Sequence, residues 1–320
     1  MAQNNQPLTI EITQNNNHMK HFISLSLAII ALLFAGCKEN NPDEPESTNT
    51  TTTNTTTPPS VTPPASLVDG ELAGDFSVSA TKKVHFSKGN LQAAYDGSQW
   101  TWGFAANQWD YVGNATANTS ITGNGTVSVN DTVDLFGWST PATYYGIHKN
   151  ASSASYSGNF VDWGATIGEG WRTLARDEWV YLIWTRTGDK ASTVAGTADA
   201  CYIKATVNNV CGVILFPNGG IFAAGEFSAI ASPNTSDAAY ATTTCTADQW
   251  KALEAKGCVF LPAAGNRIGT DVYAAGVNGD YWSSTKDDDT FVCNMYFQSG
   301  KVYPDGGSGR FKGQSVRLVR

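Results

Sequence analysis

Gly279-Asp280-Tyr281-Trp282-Ser283-Ser284-Thr285 and, a few residues later, Phe291-Val292-Cys293-Asn294-Met295-Tyr296-Phe297-Gln298-Ser299-Gly300 carry the β-strand signal in its clearest form. Aromatic and β-branched residues suit a pleated, half-buried surface, and Ser, Gly and Asp punctuate the ends. Asn294, Tyr296 and Gln298 recur at period two, so they share one face of one strand. Short apolar runs repeat the signal elsewhere: Lys83-Val84-His85-Phe86, Val213-Ile214-Leu215-Phe216, Val259-Phe260-Leu261 and the closing Ser315-Val316-Arg317-Leu318-Val319-Arg320. In the last run Val316, Leu318 and Val319 alternate imperfectly with Arg317 and Arg320, the pattern of a half-buried terminal strand.

Two helices interrupt these strands. Thr246-Ala247-Asp248-Gln249 is a capping box, with Trp250 and Leu253 as the apolar face and Gly257 as the stop. A second helix is expected from Thr173 to about Thr185. Asp177 and Glu178 lie near its positive end, and Trp179/Ile183 and Val180/Trp184 stand at i,i+4 spacing, which assigns both tryptophans to the core. The fold class is therefore α+β. No repeat of propeller or solenoid length is present.

The 320 residues are 41% hydrophobic and only 15% charged, with a formal net charge of −8 and 31 Gly, 10 Trp and 12 Tyr. An acidic chain has no basic stripe with which to displace counterions from a polyanion, so a nucleic-acid partner is excluded and anionic lipid is disfavoured. The composition is that of a loop-rich extracellular protein.

Near the amino end, Lys20 and His21 precede an apolar run from Phe22 to Phe34 that closes on Ala35-Gly36-Cys37. At ~1.5 Å per residue the run covers about 20 Å, short of the roughly 30 Å hydrocarbon layer, so it is a signal peptide rather than a span. Small residues before a cysteine resemble a lipobox, with Phe34 where Leu is usual. That resemblance implies cleavage of residues 1–36 (signal 19–36) and lipidation of Cys37, which would anchor the protein in the outer membrane. Residues 37–65, almost all Thr, Asn, Pro and Ser after an acidic start, form a tether of roughly 90 Å at full extension. Residues 66–320 are the single folded domain.

Cys201, Cys211, Cys245, Cys258 and Cys293 remain, an odd number in a compartment that permits disulfides, and spacing does not choose among the pairings. Cys293 lies inside an alternating strand and reads as a buried thiol. Neither CxxC nor a Cys/His cluster suggests zinc. His85 and His148 accompany no nucleophile elbow or metal-binding helix, Asp287-Asp288-Asp289 lacks the spacing of a calcium loop, and no cofactor motif is present. Paired carboxylates for glycan hydrolysis stay open, because their separation is a three-dimensional quantity.

Gly170-Trp171-Arg172-Thr173-Leu174, Leu261-Pro262-Ala263-Ala264-Gly265-Asn266-Arg267, the Gly279 to Thr285 run, Phe297-Gln298-Ser299-Gly300 and the terminal Gly313 to Arg320 run occur in that order. The set resembles the major paralogous domain family of bacterial surface lipoproteins, whose fold looks like the formylglycine-generating-enzyme branch of the C-type lectin-like fold. It is also similar to the variable proteins of diversity-generating retroelements. The resemblance covers Gly170 to Arg320 and implies a rigid frame with a changeable binding face. Candidate ligand contacts are Asp271, Tyr273, Asp280, Asn294, Tyr296, Gln298, Tyr303, Asp305, Ser308, Arg310 and Phe311. The enzyme branch would need a close cysteine pair that Cys258 and Cys293 do not form in sequence, and the tripeptides of calcium-dependent sugar sites are absent. The expected function is non-catalytic adhesion to a surface protein or glycan. A glycan-processing enzyme and a structural, fimbria-associated subunit are the alternatives.

Overall fold

The computed structural model describes residues 69–320 except 114–115, 122–126, 129, 142, 153–155 and 169. The signal peptide, Cys37 and the tether fall outside the described residues. Among the described residues, many short strands and a few short helices make an α+β protein. No helix among the described residues is long and apolar enough to cross a membrane.

Near the amino end, β1 (Leu91–Tyr95) and β2 (Trp100–Phe104) form an antiparallel pair. The middle of the chain supplies β3 (Tyr202–Val207), β4 (Val210–Leu215) and β5 (Val259–Pro262), antiparallel in the order β3-β4-β5. Almost every residue of these three strands is buried, as expected for near-continuous Val, Ile, Leu and Phe. The third sheet is β6 (Gly279–Lys286), β7 (Phe291–Gln298) and β8 (Lys301–Gly309), again antiparallel, with β8 at its edge. Gly279 lies opposite Phe297, and a Cβ at Gly279 would come within 2.1 Å of that ring. The missing side chain leaves room for Phe297 to stack on Tyr281 at 6.1 Å.

The helix expected from Thr173 begins later. Arg172–Thr173 is a strand paired with Leu318–Val319, and α1 covers Arg176–Val180, with Glu178 accepting from the Ala175 N–H. Tyr181–Thr185 then opens into a π turn. Trp179 is 1% exposed, but Trp184, assigned to the core by its spacing, is 50% exposed: it follows the half-buried Val180 rather than Trp179. The second helix, α2 (Ala247–Ala255), follows the sequence reading: the Gln249 N–H donates to Thr246 Oγ1 at 3.2 Å and the Thr246 N–H to Gln249 Oε1 at 2.9 Å. Trp250 and Leu253 are buried.

The terminal run departs from its alternating pattern. Arg317 is buried, donating to Gln108 Oε1 at 2.6 Å and Asn90 Oδ1 at 3.4 Å, because residues of the N-terminal half cover the strand on both sides. The two ends of the domain meet here: Phe86 bridges Val319, and the His85 N–H donates to the Arg320 carbonyl. Cys201, Cys245, Cys258 and Cys293 are all buried free thiols.

Candidate functional site

A row of side chains crosses the C-terminal sheet at right angles to its strands. It begins on the hairpin Asn266–Ile268/Asp271–Tyr273, where Tyr273 lies opposite Asn266. Gly265 has φ +75° and bridges Gly279, and a Cβ there would come within 2.3 Å of the Tyr273 carbonyl, so glycine lets the hairpin lie against β6. Asn266 therefore comes beside Asp280, and its Nδ2 donates to Asp280 Oδ2 at 3.2 Å. Asp280 is opposite Tyr296 and Tyr296 is opposite Tyr303, and directly opposed residues in antiparallel strands share a face. The rings of Tyr296 and Tyr303 are 5.8 Å apart. Beyond the sheet edge Trp184 meets Tyr303 edge-on at 5.3 Å. Lys301 Nζ sits 5.1 Å from the Tyr296 ring centre and 4.9 Å from that of Tyr303.

Four strand spacings of ~4.8 Å make the row from Tyr273 to Tyr303 about 19 Å long. Rings occupy both ends and polar groups the middle. Tyr273 and Trp184 are each about half exposed, and Asp280, Tyr296 and Tyr303 are half-buried. Burial pushes the Asp280 carboxyl up to about 6, against the lowering effects of the Asn266 hydrogen bond and the charge of Lys312. Below the row, Lys204 on β3 is fully buried and donates to the Gln298 carbonyl at 2.7 Å, which fixes the turn that carries Lys301. Its ammonium lies over the Tyr240 ring at 4.7 Å, and burial brings its pKa down to about 8.

The other residues expected at the contact face separate from this row. Asn294, although in phase with Tyr296, is only 3% exposed: its Nδ2 donates to Gln314 Oε1 at 3.1 Å and approaches Asp280 Oδ1 at 3.4 Å. The segment around Gln314 and Ser315 covers this end of the sheet, so period two identifies the face but not where that face stops being open. Ser308 and Arg310 are likewise buried. Arg310 stacks over Trp138 at 4.8 Å and donates to the carbonyls of Asp289 and Gly158, which makes it part of the frame. Phe311 lies against Gly309, far along the chain direction from Tyr303. Asp271 is exposed on the hairpin, and Gln298 is half-buried next to the Lys204 clamp. Asn266, Trp184 and Lys301 join the row without having been singled out as contacts. Spacing did not show that Trp184 follows the half-buried Val180 to the sheet edge, and only the sheet register brings Asn266 to Asp280.

Asp305 belongs to a second feature, a cleft of about 330 Å³ lined by Arg176, Thr285, Lys286, Asp287, Cys293, Asp305, Gly306 and Gly307. Three of its four charges are internally committed: Arg176 holds Asp305 through Nε and Nη2 and reaches Asp177 through Nη1, while Lys286 pairs with Asp289. Burial raises the Cys293 thiol above its ordinary pKa, which keeps it protonated. Among the described residues no group of three or more His, Cys, Asp or Glu is placed to hold a metal ion. No protein-family model, curated protein or solved structure matches this chain.

Proposed function

We propose that this protein is a lipid-anchored module of the C-type lectin-like type, displayed at the outer membrane surface, which binds an external protein or glycan without turning it over. The observation that carries the reading is the transverse row itself, with Tyr273 at one end and Tyr296, Tyr303 and Trp184 at the other. Rings of this kind provide large contact area at low entropic cost when neighbouring residues hold them in place. The ordered motifs from Gly170 to Arg320 support the finer fold assignment, and Ala35-Gly36-Cys37 supports the anchor.

Two observations favour binding over the alternatives. Asp287 and Asp305 both line the cleft, but Asp305 is tied to Arg176, so the pair lacks a second free carboxylate for acid–base work. The edge strand β8 contains Pro304, and its register with β7 shifts between Asn294 and Tyr296, features that discourage addition of a foreign strand.

The purified protein, immobilised and exposed to host and bacterial surface extracts, should retain specific partners that a Tyr296→Ala/Tyr303→Ala variant of unchanged circular dichroism releases. Equal retention by both proteins, or none by either, would overturn the reading. Metabolic labelling with a palmitate analogue should mark the wild type and spare Cys37→Ser.

A further inference from the structure

We propose that the row takes an acidic oligosaccharide, one whose sugars carry carboxylates, laid across the strands from Tyr273 to Trp184. The inference rests on the binding reading above and narrows it to one ligand class.

The side chains of the row suit a sugar chain better than a peptide. A pyranose ring has an apolar C–H face and a rim of hydroxyls. The row alternates accordingly, with rings at Tyr273 and at Tyr296/Tyr303/Trp184 and an amide–carboxylate pair, Asn266 and Asp280, between them. It contains no aliphatic side chain to fill the pockets that anchor peptides. Asn266 and Asp280 already share a hydrogen bond, so they are held in place to exchange donors and acceptors with hydroxyls rather than reorganising around them. The edge-on contact of Trp184 and Tyr303, at 71°, and the 59° angle between Tyr296 and Tyr303 make a bent rather than flat floor, which fits a chain that turns at each linkage.

Charge selects the acidic class. Of the cations near the row, Lys204 is buried and bonded to carbonyls, and the charge of Lys312 is engaged with Asp280. Lys301 is exposed, lies within 5.1 Å of two ring centres and makes no ion pair with a carboxylate of the described residues. A carboxylate on a sugar stacked at Tyr303 would meet that ammonium directly. The attraction is local: the chain as a whole is acidic, so binding should be short-range and fall with salt through the Lys301 contact rather than through long-range steering. Trp184 at the edge supplies the readout, since a sugar on the row changes its surroundings.

The test uses the whole purified protein with four probes: a galacturonate hexamer, a hyaluronan hexasaccharide, 3′-sialyllactose and, as the neutral control, cellohexaose. Binding is followed by tryptophan emission and by calorimetry. At least one acidic probe should bind and cellohexaose should bind at least tenfold more weakly. Lys301→Gln should lose about tenfold in affinity for the acidic probe, a loss of about 1.4 kcal/mol. Trp184→Ala should lose binding while keeping the wild-type melting temperature, because its ring is already half in solvent. Equal binding of acidic and neutral probes, or an unchanged affinity in Lys301→Gln, overturns the proposal. If no probe binds while Tyr296- and Tyr303-dependent retention from surface extracts persists, the sugar assignment fails and the binding reading stands. If that retention is absent too, both fail.

Discussion

The β3-β4-β5 strands, extended by a short parallel strand at Thr244–Cys245, and the β6-β7-β8 sheet are both built on three antiparallel strands, yet one is interior and the other carries the candidate site. In the first, Val213, Leu215 and Leu261 pack into one hydrophobic cluster and Ile203, Ile214 and Phe260 into another, so both faces are covered. In the second, Met295 and Phe297 enter the core on one face, while the opposite face is covered only at the Trp282, Val292 and Asn294 end and opens at Asp280, Tyr296 and Tyr303. An open end beside a fully packed one lets the same strand be rigid and available, which is what a preorganised binding surface requires. Lys204 links the two: a buried cation in the interior sheet holds the turn at the open end of the other.

The contrast can be broken most severely from the interior. Phe260→Ala should cost about 3 to 5 kcal/mol in denaturant unfolding, because the ring is fully buried against Trp250 and Gly212. A loss below about 1 kcal/mol would show that the interior sheet is not the core it resembles. Lys204→Met comes next. It leaves the carbonyls of Gln298 and Ser236 without this donor and should cost about 1 to 3 kcal/mol, with faster amide exchange confined to the turn between β7 and β8. Thr246→Ala, which removes a helix cap, should cost about 1 kcal/mol by the same measurement. Tyr303→Ala should change stability least among these and shift tryptophan emission to the red, since Trp184 loses its ring neighbour.

The Asp280 carboxyl sharpens the comparison by pH. With its folded value at about 6 against an ordinary 3.8, the folded state keeps a proton that the unfolded chain releases, so its contribution falls as pH rises between about 4 and about 6 and its cost is complete above that window. Asp280→Asn removes this dependence. Melting temperatures of wild type and variant should converge as the pH falls from about 7 to about 4, the variant being the more stable at the upper end. His148 acts in the opposite sense: burial and the charge of Arg267 hold it down at about 3, so its contribution is lost as pH falls from about 6.5 through that value. Subtracting the variant from the wild type cancels His148.

Local features were legible without coordinates. The Thr246 capping box, the strand identities around Val213, Val259 and Phe291, and the burial of Cys293 are consequences of near-neighbour chemistry and residue type. For the candidate site, period two placed Tyr296 on the face of β7 where its cross-strand neighbours are Asp280 and Tyr303, while the close approaches at Gly265 and Gly279 emerged only from the structure. Period two also placed Asn294 on that face, where the Gln314 segment buries it, and i,i+4 spacing sent Trp184 to the core, whereas it stands at the sheet edge against Tyr303.

The order of apolar and polar residues by itself determined the α+β class, the helix cap and the faces of individual strands, because those depend on backbone periodicity and on contacts a few residues apart. Tertiary structure decided which part of each face is open, which arginines are interior, and that Tyr273, Asn266, Asp280, Tyr296 and Tyr303 form one row. Those outcomes depend on register between distant segments and on what lies over a strand. Neither is encoded in the spacing of residues along it.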